Sequence, residues 1–129
     1  MIVLVDFYNS TGHQQKGIRP AVIVSNDKGN KYSPTVKVLP CTSKRDNSNL
    51  PTHAKFSSDE VDCLHKNSTF EAENEIVINK TQIIKVLGRL TDNQMERIAI
   101  AMAYSTPIVI KAFLKGVQNT SQFKNIFSY

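Results

Sequence analysis

Apolar residues in this chain come in short bursts, most of them alternating with polar ones, until one helical stripe appears late. Ile2 to Phe7 is the first burst and predicts a short strand. Tyr8 to Gly17 is polar, with Asn9-Ser10-Thr11-Gly12 as turn chemistry. Ala21 to Ser25 is the second strand. Its unbroken apolar run Ala21–Val24 is long enough for a buried strand and too short for a typical helix. Asn26 to Ser33 reads as a polar connection, with Gly29 and Asn30 available for left-handed positions. Thr35 to Cys41 alternates Val36, Val38 and Pro40 against Lys37, Leu39 and Cys41, and Pro40 points to an edge or a bulge. A basic loop, Lys44 to Asn49, leads to a short strand over Thr52 to Phe56. Ser57 to Lys66 is acidic and loop-like. Thr69 to Ile78 reads as one long strand, with Phe70, Ala72, Ile76 and Ile78 on one face and Glu71, Glu73, Glu75 and Val77 on the other. Lys80 to Ile84 suits one helical turn, and Val86 to Leu90 returns as a strand. Asp92 to Ser105 is the strongest helix: Thr91 or Asp92 can cap it, and Met95, Ile98, Ala99, Met102 and Ala103 form its core stripe.

Many short strands and one late helix predict a mainly β fold with a C-terminal helix. Its sheet is small, twisted, mostly antiparallel and partly closed into a β-barrel. At 129 residues the chain suits one domain, placed at 1–106, with Pro107 marking a break. Residues 107–129 form an extension carrying Lys111, Lys115 and Lys124, no acids, and the apolar run Ile108, Val109, Ile110, Phe113 and Leu114. That extension suits a helix packed on the domain or on a partner, or a frayed end.

Charge changes the picture more than bulk composition does. The net charge is +5, but residues 13–55 hold eight Lys/Arg against Asp27 and Asp46, a surplus of +6. Residues 59–75 hold six acids against Lys66, or −5. A positive block of this kind draws in a polyanion, whether nucleic acid or an acidic protein tail. Two cysteines, Cys41 and Cys63, do not make a disulfide framework, which together with the lack of a signal peptide suggests the cytoplasm. No apolar run has the length of a membrane span, so no membrane partner is expected.

The chemistry concentrates around Gly17-Ile18-Arg19-Pro20. Gly17 permits a tight turn, and Pro20 belongs at the start of a strand. Arg19 is then a cation fixed at a strand mouth, with the hydroxyls of Thr42 and Ser43 ending the next strand. Guanidinium plus hydroxyl donors suits a phosphate ligand. Cys63-x-His65 is too little for a zinc site, Cys41 reads as a buried strand thiol, and His53 reads as structural.

Five features in order, Gly17-Ile18-Arg19-Pro20, Asn26-Asp27, Asn30 to Thr35, Cys41-Thr42-Ser43 and Leu50-Pro51-Thr52-His53, resemble the MazF/PemK family of toxin endoribonucleases. The resemblance spans roughly Met1 to Ser105 and implies a Kid- and CcdB-like small barrel of SH3-like form that pairs as a homodimer. It implies a type II toxin that cuts single-stranded RNA sequence-selectively, with no metal and no cofactor. Its products would be a 2′,3′-cyclic phosphate and a 5′-hydroxyl, and an acidic antitoxin protein would restrain it. By the same resemblance Arg19 and Thr42 stand at catalytic positions. His13, which resembles a histidine of the Kid-like branch, and Glu73, which matches a carboxylate position, are the catalytic candidates for the general base. Asn74 stands where relatives carry an RNA-contacting Gln; Ser43, Gln15, Lys16 and Lys44 complete the expected RNA-binding set. Gln14 replaces a loop Glu common in relatives, and Glu75-Ile76 departs from their apolar-Arg pair. The alternative is a non-cleaving binding protein on the same barrel, such as a CcdB-like gyrase poison.

Overall fold

The computed structural model describes residues 1–8, 17–45 and 47–118. Seven strands follow in the order β1 (Ile2–Asp6), β2 (Ile18–Ile23), β3 (Thr35–Thr42), β4 (His53–Phe56), β5 (Ser68–Glu71), β6 (Ile76–Asn79) and β7 (Ile83–Gly88). Helix α1 (Asp27–Tyr32) separates β2 from β3, and α2 (Asp92–Ser105) and α3 (Pro107–Gln118) end the described chain. Strand neighbours run β4-β5-β3-β2-β1-β7, and β6 pairs with the other half of β3. Every pairing is antiparallel. β4 and β7 stay edges among the described residues, so the barrel is partly closed, as the pattern predicted.

The sheet buries both faces, which is why Ala21–Val24 is apolar without a break. Ile2, Val22, Leu39, Cys41, Phe56 and Phe70 belong to one core together with Ile98 and Ala101 of α2. Their neighbours Val3, Val5, Ala21, Val36 and Val38 form a second core with Phe7 and Ile78. The period of two along each strand sorts side chains between these cores. Thr91 caps α2 by accepting from the Gln94 amide, and the Gln94 side chain reaches back in a capping box. Arg97 of α2 lies 4.1 Å over the Phe56 ring and pairs with Glu60 at 2.8 Å, fastening the helix across β4.

Four sequence expectations change. Asn26–Ser33 is not an irregular connection: Asn26 caps α1 by accepting from the Gly29 amide at 2.6 Å. Gly29 and Asn30 are therefore right-handed helical. Among the described residues only Gly17 has positive φ, at 99°, and there the turn did require glycine. Thr69–Ile78 is not one strand. A 3₁₀ turn over Ala72–Asn74 ends β5 and begins a new run, β6, that pairs elsewhere on β3. Pro40 lies inside a central strand rather than at an edge. It sits where the β3 partner changes, since β6 pairs through Val38 and β5 from Cys41, so its missing N–H falls in the gap between two ladders. Finally, β2 and β7 each begin three residues earlier than expected, at Ile18 and Ile83. Among the described residues no single helix is long and apolar enough to cross a membrane.

Candidate active site

Arg19 and Thr42 come together because β2 and β3 are antiparallel neighbours. Their ladder pairs Ala21 with Pro40 and Val22 with Leu39. Continued by two residues, that register sets Arg19 opposite Thr42. Pro20 does not interrupt it, because β2 pairs with β3 only from Ala21 onward. On its other side Arg19 is held opposite Val5 of β1. At the entry to β2 the Phe7 amide donates to the Gly17 carbonyl at 2.8 Å.

Both side chains line one cavity of about 770 Å³, together with Ser43 and Lys44. Arg19 is half-buried and Thr42 is buried. The Lys44 amide donates to Thr42 Oγ1 at 3.2 Å, which leaves the threonine hydroxyl its own hydrogen to donate into the cavity. The expected Arg19, Thr42, Ser43 and Lys44 are thus assembled in one place. Lys66 and Lys85 join them, and among the described residues no carboxylate lines this wall. A second cavity of about 630 Å³ shares Ser43, Lys44 and Ser68 with the first and adds Arg45 and Lys55. Cationic side chains therefore continue along the chain that follows β3, with Glu60 also on that second wall.

Cys41 sits beside Thr42 with its thiol pushed up by burial, against the opposing pull of hydrogen bonds from Ser68 and Thr69 and the Arg19 charge. It is a buried core thiol, as read from the sequence.

Glu73 and Asn74 lie elsewhere. Both belong to the 3₁₀ turn after β5, and neither lines the Arg19 cavity. Asn74 donates to Glu71 Oε2 at 2.6 Å. Glu73 Oε1 meets His53 Nε2 at 2.5 Å, which ties the turn after β5 to the start of β4. His53, Glu71 and Glu73 bring one imidazole nitrogen and two carboxylate oxygens within 4.8 Å of one another, the described group whose donors suit a divalent cation. Partial burial works to raise the Glu73 pKa. Hydrogen bonds from its own amide, His53 and Thr52 outweigh burial and hold it below the ordinary 4.5. A depressed carboxylate stabilises the fold above its unfolded pKa, and that contribution is lost as pH falls through the folded one. Glu73→Gln should therefore flatten the acid limb of a melting-temperature profile. An unchanged limb would show that the His53 contact contributes nothing.

His13, Gln15 and Lys16 lie outside the described residues. Sequence reasoning missed His65, Lys66 and Lys85, which stand on the same cavity as Arg19. His65 and Lys66 close a stretch whose acids dominated its reading as a loop. Lys85 faces Leu4 across the β1–β7 ladder, a pairing that local pattern does not disclose.

A partly closed antiparallel barrel with a cationic, hydroxyl-lined cleft at the β2–β3 mouth is suited to an anionic ligand. Residues 1–105 match the family model for the PemK-like, MazF-like toxin of type II toxin-antitoxin systems, and the chain belongs to that family. It is 35% identical over 104 residues to Endoribonuclease MazF of Staphylococcus saprophyticus, covering 81% of this chain and 86% of that protein. The fold superposes on Mycobacterium tuberculosis toxin MazF-mt6 with TM-score 0.65 at 18% identity, over 81% of this chain and 93% of the other. A mycobacterial endoribonuclease solved in complex with its cognate antitoxin gives TM-score 0.60 at 25% identity, over 81% and 88%. Helix α3 follows the family match.

Proposed function

We propose that this toxin is a metal-independent, sequence-selective endoribonuclease that cuts single-stranded RNA through attack by the 2′-hydroxyl on phosphorus. The observation that carries the reading is the meeting of Arg19 and Thr42 in one cationic cavity lined by no described carboxylate. The forked guanidinium matches two phosphate oxygens and stays charged through the reaction. Thr42, Ser43 and the nearby lysines add donors that a phosphodiester accepts. Donors of this kind stabilise a phosphorane without a metal, whereas they are poor ligands for one. Cleavage then leaves a 2′,3′-cyclic phosphate and a 5′-hydroxyl. Duplex RNA should resist, since base edges are read in splayed single strands.

The reading includes a homodimer, an acidic antitoxin partner and a cytoplasmic setting. The antitoxin follows from the 25%-identical mycobacterial complex and from charge, because the basic cavity wall suits an acidic tail as well as RNA. Exposed Ile84 and Val86 on the edge strand β7 offer surface that a second copy would bury. Residues 107–129 are taken as an accessory extension to a domain ending at 106. Incubation of purified protein with a defined RNA in EDTA, followed by mapping of the ends, tests the central claim. Cyclic-phosphate ends at a preferred sequence are the expected result. Strict dependence on a divalent ion would overturn the mechanism, and binding without cleavage would leave a CcdB-like binding protein instead.

A further inference from the structure

Arg19 and the lysines can stabilise charge, but the 2′-hydroxyl must also lose a proton. Among the described residues lining the Arg19 cavity, His65 carries the one imidazole. The other ionisable groups facing it there are the cations Arg19, Lys44, Lys66 and Lys85, contributed by β2, the chain after β3, the loop before β5, and β7. Tyr8, Cys41 and Cys63 complete the ionisable wall, and burial raises both thiols. Imidazole is the side chain whose ordinary titration spans neutral pH, whereas phenol, thiol and ammonium groups hold their protons there. Glu73, the carboxylate expected from the sequence, is spent on His53 and does not line this cavity.

We propose that His65 is the general base of the cleavage reaction, a role that rests on the endoribonuclease reading. His65 is exposed, on the segment between Leu64 and Ser68, two residues that are buried and line the same cavity. It thus stands on an anchored loop with its ring open to substrate. Neutral imidazole takes the 2′-hydroxyl proton as the 2′-oxygen bonds to phosphorus. The bond from phosphorus to the 5′-oxygen breaks, and that oxygen takes a proton from water to give the 5′-hydroxyl. The imidazolium returns its proton to the hydroxide so formed, and no net proton is consumed. Arg19 and the lysines favour the developing phosphorane, whose negative charge builds as the 2′-oxygen bonds to phosphorus.

The test is single-turnover cleavage of a defined RNA by the full chain across the neutral pH range. The parent rate should climb with pH as a base is deprotonated and then level off. His65→Ala should cut the plateau rate by ~10² to 10⁴-fold, the usual contribution of a positioned base, and should lose the climb. Added imidazole should restore part of the rate to His65→Ala and none to Arg19→Ala. His65→Gln, which keeps size and polarity, should be as slow as His65→Ala. Because His65 is exposed, both variants should melt like the parent. A parent-like profile in His65→Ala, with the climb abolished in His13→Ala, would overturn the assignment and give the role to His13. No cleavage by the parent would overturn this inference and the endoribonuclease reading together, whereas a cleaving parent with an unaffected His65→Ala overturns this inference alone.

Discussion

Arg19→Ala should lower the rate of RNA cleavage by at least ~10²-fold, the typical loss when a donor aimed at developing charge is removed. Substrate binding should weaken far less, because Lys44, Lys66 and Lys85 still line the cavity and Arg45 and Lys55 line its continuation. The expected signature is therefore a fall in kcat with a modest rise in KM. Arg19→Lys should rescue poorly, since a point charge does not reproduce the planar fork. Thr42→Ala should move the rate in the same direction by less, one neutral donor being weaker than a charged pair. Circular dichroism and thermal melts must show the variants folded. Cleavage by Arg19→Ala at the parent rate would move the active site elsewhere on the barrel.

The site was legible where the strand register was. Gly17, Pro20 and the apolar run after them fix where β2 begins to pair, and the register then carries Arg19 to Thr42. Charge content likewise foretold a basic wall, but only the part contributed by the chain around β3. Lys85 reaches the cavity through β1–β7 pairing across most of the sequence, and a pattern read locally holds no such information. The break in Thr69–Ile78 was hidden for a different reason. Alternation survives it, with Ala72 and Ile78 buried and Glu73, Glu75 and Val77 exposed or nearly so. The sequence periodicity thus reported burial correctly across a 3₁₀ turn. What it could not report is that Phe70 and Ala72 serve one core while Ile76 and Ile78 serve the other. That turn is also what sets Glu73 against His53, and Glu73 does not line the Arg19 cavity. Helix α1 escaped notice because none of its six residues is buried, so no apolar period announced it. Its Asn26 cap, followed by Asp27 in the first turn, was the available signal.

Phe70→Ala should be strongly destabilising, at about 3–5 kcal/mol. The ring is fully buried and meets Phe56 edge to face, with centroids 5.8 Å apart. Its backbone pairs with Cys41 on one side and Ala54 on the other, so Phe70 ties β3 to β4 through β5. Phe56 in turn supports Arg97 and hence α2. Truncation opens a cavity at the centre of this stack, and the helix and the sheet are too constrained to close over it fully. A domain of this size holds only about 5–15 kcal/mol in total, so the loss approaches the margin of folding. Urea melts should show a large fall in midpoint, while Val77→Ala, on an exposed position of β6, should stay within about 0.5 kcal/mol of the parent. The next residue along, Thr69, pairs with Thr42, so unfolding of β5 also removes support from the candidate site. Cleavage by Phe70→Ala should accordingly track the folded fraction across the melt, with the folded molecules keeping nearly the parent rate. A midpoint within error of the parent would mean that this core does not organise the barrel.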